Sequence, residues 1–400
     1  MRAHLSRKIN GAFPYLSWDL WSARRTVDQL IHRERNPREH TSSNPAPSFA
    51  AEPKTNPTDS SVLFVIPQDE HGEDRWLPGV GNYPFELFES AKEALGTDRV
   101  HQILIPHNEP AGAWHDRVIT AAREIGATHI FGRTDHEPNG LDHLWSWDVF
   151  VKRLRREWPG VFLALSYDSA YPYVSMHLDR LTRLHNKTMP VVLDRPISPE
   201  IRPHRPAAGP LFLPLSTASM KVLDAAIADV QPEFDLTFIG NVSGYPYRSE
   251  LLEELEAAGL NVVVNPQSGG TDNRPGFESY ARALKTSRVT LNFSRCNGVP
   301  ITQLKTRLLE GSLFGAVVAS DSPLYAQDYF ADGSEFISYS SPQDLKAKLT
   351  DLLTDDTALA DMRTNARAKA ESLRVTNLWS KVDAALNARG LARLPLATAH

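Results

Sequence analysis

Twice along its length the chain alternates short apolar runs with stretches of helical periodicity, and this alternation limits the fold more than any other feature. The first series opens with Val62-Leu-Phe-Val-Ile66. An uninterrupted apolar run of this kind suits a strand buried on both faces. Further strands are predicted at 100–105, 128–131, 161–166, 190–193 and 211–215, with helices at 85–95, 114–125, 145–157 and 174–186. The second series starts at Asp235. It predicts strands at 236–239, 261–264, 289–293, 316–319 and 335–339, and helices at 248–258, 277–287, 304–314, 342–353 and 376–388. Gly259 and Gly315 stand where two of these helices should close. Alternating strands and helices imply crossovers and a mainly parallel sheet. The expected fold class is therefore α/β, with two doubly wound, Rossmann-like domains.

With 400 residues the chain is long enough for two separate cores. The expected organisation is an N-terminal extension over 1–38, a disordered Pro/Ser/Thr/Asn-rich linker over 39–61, a first domain over 62–215, a second over 216–374, and a closing helix and tail over 375–400. The extension carries several arginines beside Phe13, Tyr15, Leu16, Trp18, Leu20 and Trp21. Such residues fit an interfacial helix making peripheral contact with an anionic membrane. They also fit an irregular segment packed on the domain or a partner, which the unsegregated charges favour.

The net charge of -5 argues against charge-driven nucleic-acid binding. A single cysteine, Cys296, supplies neither an internal disulfide nor a thiolate zinc site. No run approaches the roughly 20 apolar residues that span a bilayer, and no secretory leader is evident. A cytoplasmic setting is expected.

In a doubly wound sheet, ligands bind at the carboxyl ends of the strands, so the chemistry is expected in the loops there. The densest signal is Lys305-Thr-Arg307-Leu-Leu-Glu310, followed by Gly315. Cations in a first helical turn oppose the helix dipole unless an anion sits there. A diphosphate is such an anion, and Glu310 could accept hydrogen bonds from a ribose diol. The same residues also fit an ordinary amphipathic helix with a solvated basic face. Ser294 and Arg295 follow a strand and are expected to wall the same place.

This segment resembles the C-terminal domain of GT-B glycosyltransferases, in particular the spore-maturation CgeB-like group, within the glycosyl transferases group 1 family. The resemblance rests on Lys305-x-Arg307-x-x-Glu310, on Asp235-Leu-Thr-Phe-Ile-Gly240-Asn241 followed by Arg248, and on Phe336 through Leu345. It is good over 235–355, weaker over 62–215 and absent over 1–60. It implies two domains facing a cleft and a nucleotide-diphosphate sugar donor. Glu310 would bind the donor's ribose, Lys305, Arg307 and Arg248 would neutralise its diphosphate, and Gly240 and Asn241 would let the backbone approach it. Thr302 replaces the first of the paired glutamates of many retaining relatives, so the stereochemical outcome does not transfer.

In the first domain, loops after strands carry Asp69, His71, Gly79 and Gly81, then Asp135 and His136, then Asp168. Asp135 and His136 fit general-base activation of an acceptor hydroxyl, with Asp69, His71, Gly79, Gly81 and Asp168 around the acceptor. Each of these residues also fits plain solvation or capping. No tight Asp-x-Asp spacing suggests a metal, and no cofactor is expected. The expected activity is metal-independent transfer of a hexose-like sugar to a glycan, lipid-linked or protein acceptor. The alternatives are a sugar-nucleotide epimerase on the same fold and a non-catalytic binding protein.

Overall fold

A computed structural model describes residues 60–67, 83–106, 109–134, 146–166, 172–193, 207–209, 211–240, 242, 245–264, 277–295, 303–321 and 326–396. It divides into two units: one takes in residues up to 75, 91–211 and 379 onward, the other 76–90 and 212–378.

In the first unit, strands β1 (Val62–Pro67), β2 (Val100–Ile105), β3 (His129–Arg133), β4 (Val161–Ser166) and β5 (Thr188–Val192) alternate with helices α1 (Tyr83–Leu95), α2 (Ala111–Glu124), α3 (Ser146–Glu157) and α4 (Pro172–Leu184). All pairings are parallel, in the order β2-β1-β3-β4-β5. β4 is buried at every position, as its apolar run requires. Trp114, Trp147, Phe150 and Phe162 fill the core beside it, with ring centroids 4.9–5.9 Å apart. Gly132 on β3 makes room for Trp147, whose ring would lie 2.8 Å from an added Cβ. Helices α3 and α4 are stapled by Asp148, which pairs with Arg180 at 2.7 Å and His177 at 3.4 Å.

The second unit repeats the plan. It contains α5 (Thr217–Ile227), β6 (Phe234–Phe238), α6 (Pro246–Ala257), β7 (Val262–Val264), α7 (Phe277–Lys285), β8 (Ser287–Asn292), α8 (Arg307–Leu313), β9 (Val317–Ser320), β10 (Ile337–Ser338), α9 (Pro342–Thr354) and α10 (Asp356–Leu373). Helix α11 (Thr376–Ala388) is the last regular element among the described residues. The sheet is again parallel, ordered β10-β9-β8-β6-β7. In each sheet the second strand lies on one side of the first and the third on the other. That reversal, between β1 and β3 or β6 and β8, is where open parallel sheets hold ligands. The expected α/β class, two doubly wound sheets, is what the chain forms. Among the described residues no helix is long and apolar enough to cross a membrane.

Three expectations change. Residues 211–215 are buried but form no strand. Their polar partner is Arg374, whose carbonyl accepts from Leu215 N–H at 3.2 Å and whose guanidinium donates to Leu215 O at 2.6 Å. An apolar run reports burial, not ladder pairing. Helices α5 and α10 were not expected. Both carry an N-cap, Ser216 and Asp355, whose side chain accepts from the backbone N–H three residues on. Finally, the helix expected over 304–314 is only the seven-residue α8. It ends as predicted: Gly315 has φ 86°, and Ala316 N–H reaches back to Gly311 O at 2.9 Å.

Candidate functional site

The site is built on the carboxyl edge of the second sheet. β6 ends in Phe238, and Phe293 follows β8, the neighbouring strand across the reversal point. Their rings meet edge-on, 4.9 Å between centroids. Gly240 lies against the Phe238 ring, which would sit 2.8 Å from an added Cβ. A side chain there would push the ring aside, so packing alone already demands glycine at this turn.

Two guanidinium groups converge on this aromatic pair. Arg248, in the first turn of α6, stacks on Tyr245 at 3.7 Å and lies 5.2 Å from Phe293, 5.6 Å from Tyr247 and 5.8 Å from Phe238. Its Nε donates to Tyr247 Oη at 3.2 Å. Arg307, the first residue of α8, lies 5.6 Å from the same Phe238 ring and 5.8 Å from Tyr280. Its Nη1 is buried and has no hydrogen-bond partner among the described residues. Leaving a charged donor unmade inside a protein costs about 1–3 kcal/mol or more, so the second unit keeps this cation at a cost. Helix α8 can sit close to the sheet because Gly311 faces Val318 and Thr290. An added Cβ would meet their methyl groups at 2.7 and 3.0 Å.

Glu310 lies one turn along α8 and is only 5% exposed. Tyr280 donates its hydroxyl to Glu310 Oε2 at 2.7 Å. Burial pushes the Glu310 carboxyl above the usual range, while Tyr280 and Arg307 pull it back and Glu86 adds repulsion. Glu86 is itself buried, accepting from Ser216 N–H at 2.6 Å and from the Ser219 hydroxyl.

Lys305 is not in the first helical turn as expected. It precedes the N-cap Thr306, and its carbonyl accepts from Leu308 N–H at 3.1 Å. Leu304, buried in the core, holds this approach to the helix in place. The Lys305 ammonium donates to Gln303 Oε1, and Gln303 N–H in turn binds Ser294 O at 2.9 Å. Ser294 is buried rather than open: its N–H donates to Asp321 Oδ1 at 2.6 Å, and its hydroxyl donates to the same oxygen. Arg295 N–H reaches Asp321 Oδ2 at 3.4 Å, and its exposed guanidinium lies 3.9 Å from that oxygen. Tyr247 donates to Arg295 O at 3.2 Å, which ties this turn to Arg248.

Gly240, Arg248, Ser294, Arg295, Lys305, Arg307 and Glu310 thus belong to one connected edge. Asn241, Asp69, His71, Gly79, Gly81, Asp135, His136 and Asp168 lie outside the described residues. The sequence reading missed Asp321, Tyr280 and Glu86. Asp321 had a signal, since it directly follows the strand ending in Ser320. Tyr280 and Glu86 reach their partners only through tertiary packing.

The sequence model of a family described as glycosyl transferase-like matches residues 222–376, which span this edge. No curated protein sequence matches the chain. Among solved structures, Anabaena HepE in complex with UDP and glucose is similar at 14% identity and TM-score 0.49, covering 82% of this chain and 99% of that one. Sucrose-phosphate synthase from Thermosynechococcus elongatus is similar at 12% identity and TM-score 0.48, covering 82% and 97%. A UDP-N-acetylglucosamine 2-epimerase structure from Listeria monocytogenes is similar at 10% identity and TM-score 0.39, covering 78% and 94%. None of these likenesses reaches a TM-score of 0.5, and the fold assignment stands on the sheet topology itself.

Proposed function

We propose that the chain is a glycosyltransferase of the GT-B class that takes a hexose-like sugar from a nucleotide-diphosphate donor. One observation carries this reading: Arg248 and Arg307 share the Phe238 ring at the reversal point of the second sheet, and one buried Arg307 nitrogen lacks a partner. Paired guanidinium groups at a strand edge suit a diphosphate, whose oxygens take several charge-assisted bonds. The glycosyl transferase-like match over the same residues supports it. The finer placement in the CgeB-like group rests on Lys305-x-Arg307-x-x-Glu310 and the Gly240-Asn241 turn.

In this mechanism Arg248, Arg307 and Lys305 stabilise the charge that grows on the departing nucleoside diphosphate. Their positive charge does this without a metal ion. Glu310 takes the ribose hydroxyls through the carboxylate oxygen that Tyr280 leaves open. Ser294 and Arg295 form the wall beside the diphosphate, held by Asp321. Asp135 and His136 serve as base toward an acceptor hydroxyl of a glycan, lipid-linked or protein substrate. Asp69, His71, Gly79, Gly81 and Asp168 line the acceptor's place, and the proposed setting is cytoplasmic.

The test is release of nucleoside diphosphate from a panel of nucleotide sugars, with and without an acceptor extract. Replacing Lys305 and Arg307 together by Ala is expected to lower turnover by about 100-fold or more, with a smaller change in ground-state donor binding. Turnover near wild type in the double variant contradicts the proposal. Product formed without any acceptor, as an isomerised sugar, would point to an epimerase instead.

A further inference from the structure

Tyr339 directly follows β10, so it belongs to the same carboxyl edge, beside the end of β9. Its backbone N–H donates to Ser320 O at 2.9 Å, and the residue is 6% exposed. The hydroxyl is buried and has no hydrogen-bond partner among the described residues. Burial pushes this phenol far above its ordinary range. Asp321 and the neighbouring Tyr247 add to the rise, while Arg295 and Arg248 oppose it. The group therefore stays protonated and keeps its proton to donate.

A buried hydroxyl left unmade costs about 1–3 kcal/mol, and phenylalanine would fill the same space without that cost. The surroundings limit what could meet it. Asp321 spends its oxygens on Ser294 and Arg295. Tyr247 Oη donates to Arg295 O and accepts from Arg248. The two cations acting on Tyr339, Arg248 and Arg295, offer only donors. A ligand bound among these groups must be rich in acceptors and tolerate positive charge.

We infer that the Tyr339 hydroxyl is a further ligand-binding group of this edge, donating to a phosphoryl oxygen of the diphosphate that Arg248 holds. The inference rests on the donor reading above and adds a group that the sequence pattern did not single out. Asp321 acts beside it as a positioning residue, keeping the Ser294–Arg295 turn and the Arg295 guanidinium in place.

The test is calorimetric titration of wild type and Tyr339→Phe with a panel of nucleoside diphosphates and, separately, with inorganic pyrophosphate. Tyr339→Phe removes one oxygen that holds no protein partner, so its melting temperature should equal or exceed that of wild type. Affinity for the preferred nucleoside diphosphate and for pyrophosphate should each fall about tenfold. Equal affinities in wild type and variant overturn the Tyr339 assignment and leave the donor reading standing. A loss confined to the nucleoside diphosphate, with pyrophosphate binding unchanged, overturns the phosphoryl assignment. Failure of wild type to bind any of these probes removes both.

Discussion

The two sheets share a strand order and differ in what they bury. The first packs Trp114, Trp147 and Phe150 around its strands and encloses four histidines, His115, His129, His177 and His185. The second encloses Glu310 and turns two guanidinium groups onto Phe238. None of the chain's 14 histidines falls within 76–90 or 212–378, the residues of the second unit. Topology therefore leaves the polar content of an interior open. The same frame accommodates a core that holds His115, His129 and His185 neutral and one that keeps permanent cations at its carboxyl edge.

This difference should appear most strongly as acid sensitivity. Burial lowers His115 from 6.5 to about 3, and His129 and His185 to about 4. Nearby Arg153 adds to the effect at His115, while the hydrogen bond to Ala392 O partly offsets it at His129. Above pH 6.5 these groups are neutral in both folded and unfolded chains. As pH falls toward 4 the unfolded chain takes up protons that the folded one refuses, so stability is lost across that window. For His115 alone the full shift amounts to at most about 5 kcal/mol. Hydrogen exchange followed peptide by peptide between pH 7 and 4 should show the first unit's strands losing protection before the second's. His115→Phe should shrink the gap. Equal loss in both units would break the contrast.

The second unit carries an effect of opposite sign. Glu310 has its carboxyl raised by burial, so its contribution to stability is fully present below the ordinary carboxylate pKa and is lost as pH rises through the folded value. Glu310→Gln removes that charge while leaving a carbonyl for Tyr280. At pH 7, without ligand, it should raise the second unit's melting temperature. A fall in melting temperature would show that the charged form is favoured by contacts beyond Tyr280 and Arg307.

Much of the frame was legible because buried parallel strands announce themselves as continuous apolar runs, as in Val62–Pro67 and Val161–Ser166. Gly259 and Gly315 marked helix ends because each adopts a positive φ, 90° and 86°, that other residues avoid. Helix α10 was missed because it is rich in alanine and charge. Its buried positions, Leu359, Met362, Ala366 and Ala370, make a thin apolar stripe. Around the candidate site, spacing along one helix pointed to Arg307 and Glu310, and the family resemblance pointed to Arg248. Neither gave a sign of Tyr280, Glu86 or Tyr339. A lone tyrosine or glutamate reads as ordinary surface until packing buries it against a partner far along the chain. The same gap explains Lys305 and Ser294, whose side chains turn to Gln303 and Asp321.

The central claim, that Arg248 and Arg307 together hold a diphosphate over Phe238, is tested most directly by titrating inorganic pyrophosphate into wild type, Arg248→Ala, Arg307→Ala and the double variant. Because the two cations would grip one ligand, each single change is expected to weaken binding by about ten- to a hundredfold, with the double variant showing no measurable heat. Pyrophosphate binding that survives unchanged in the double variant would contradict the account.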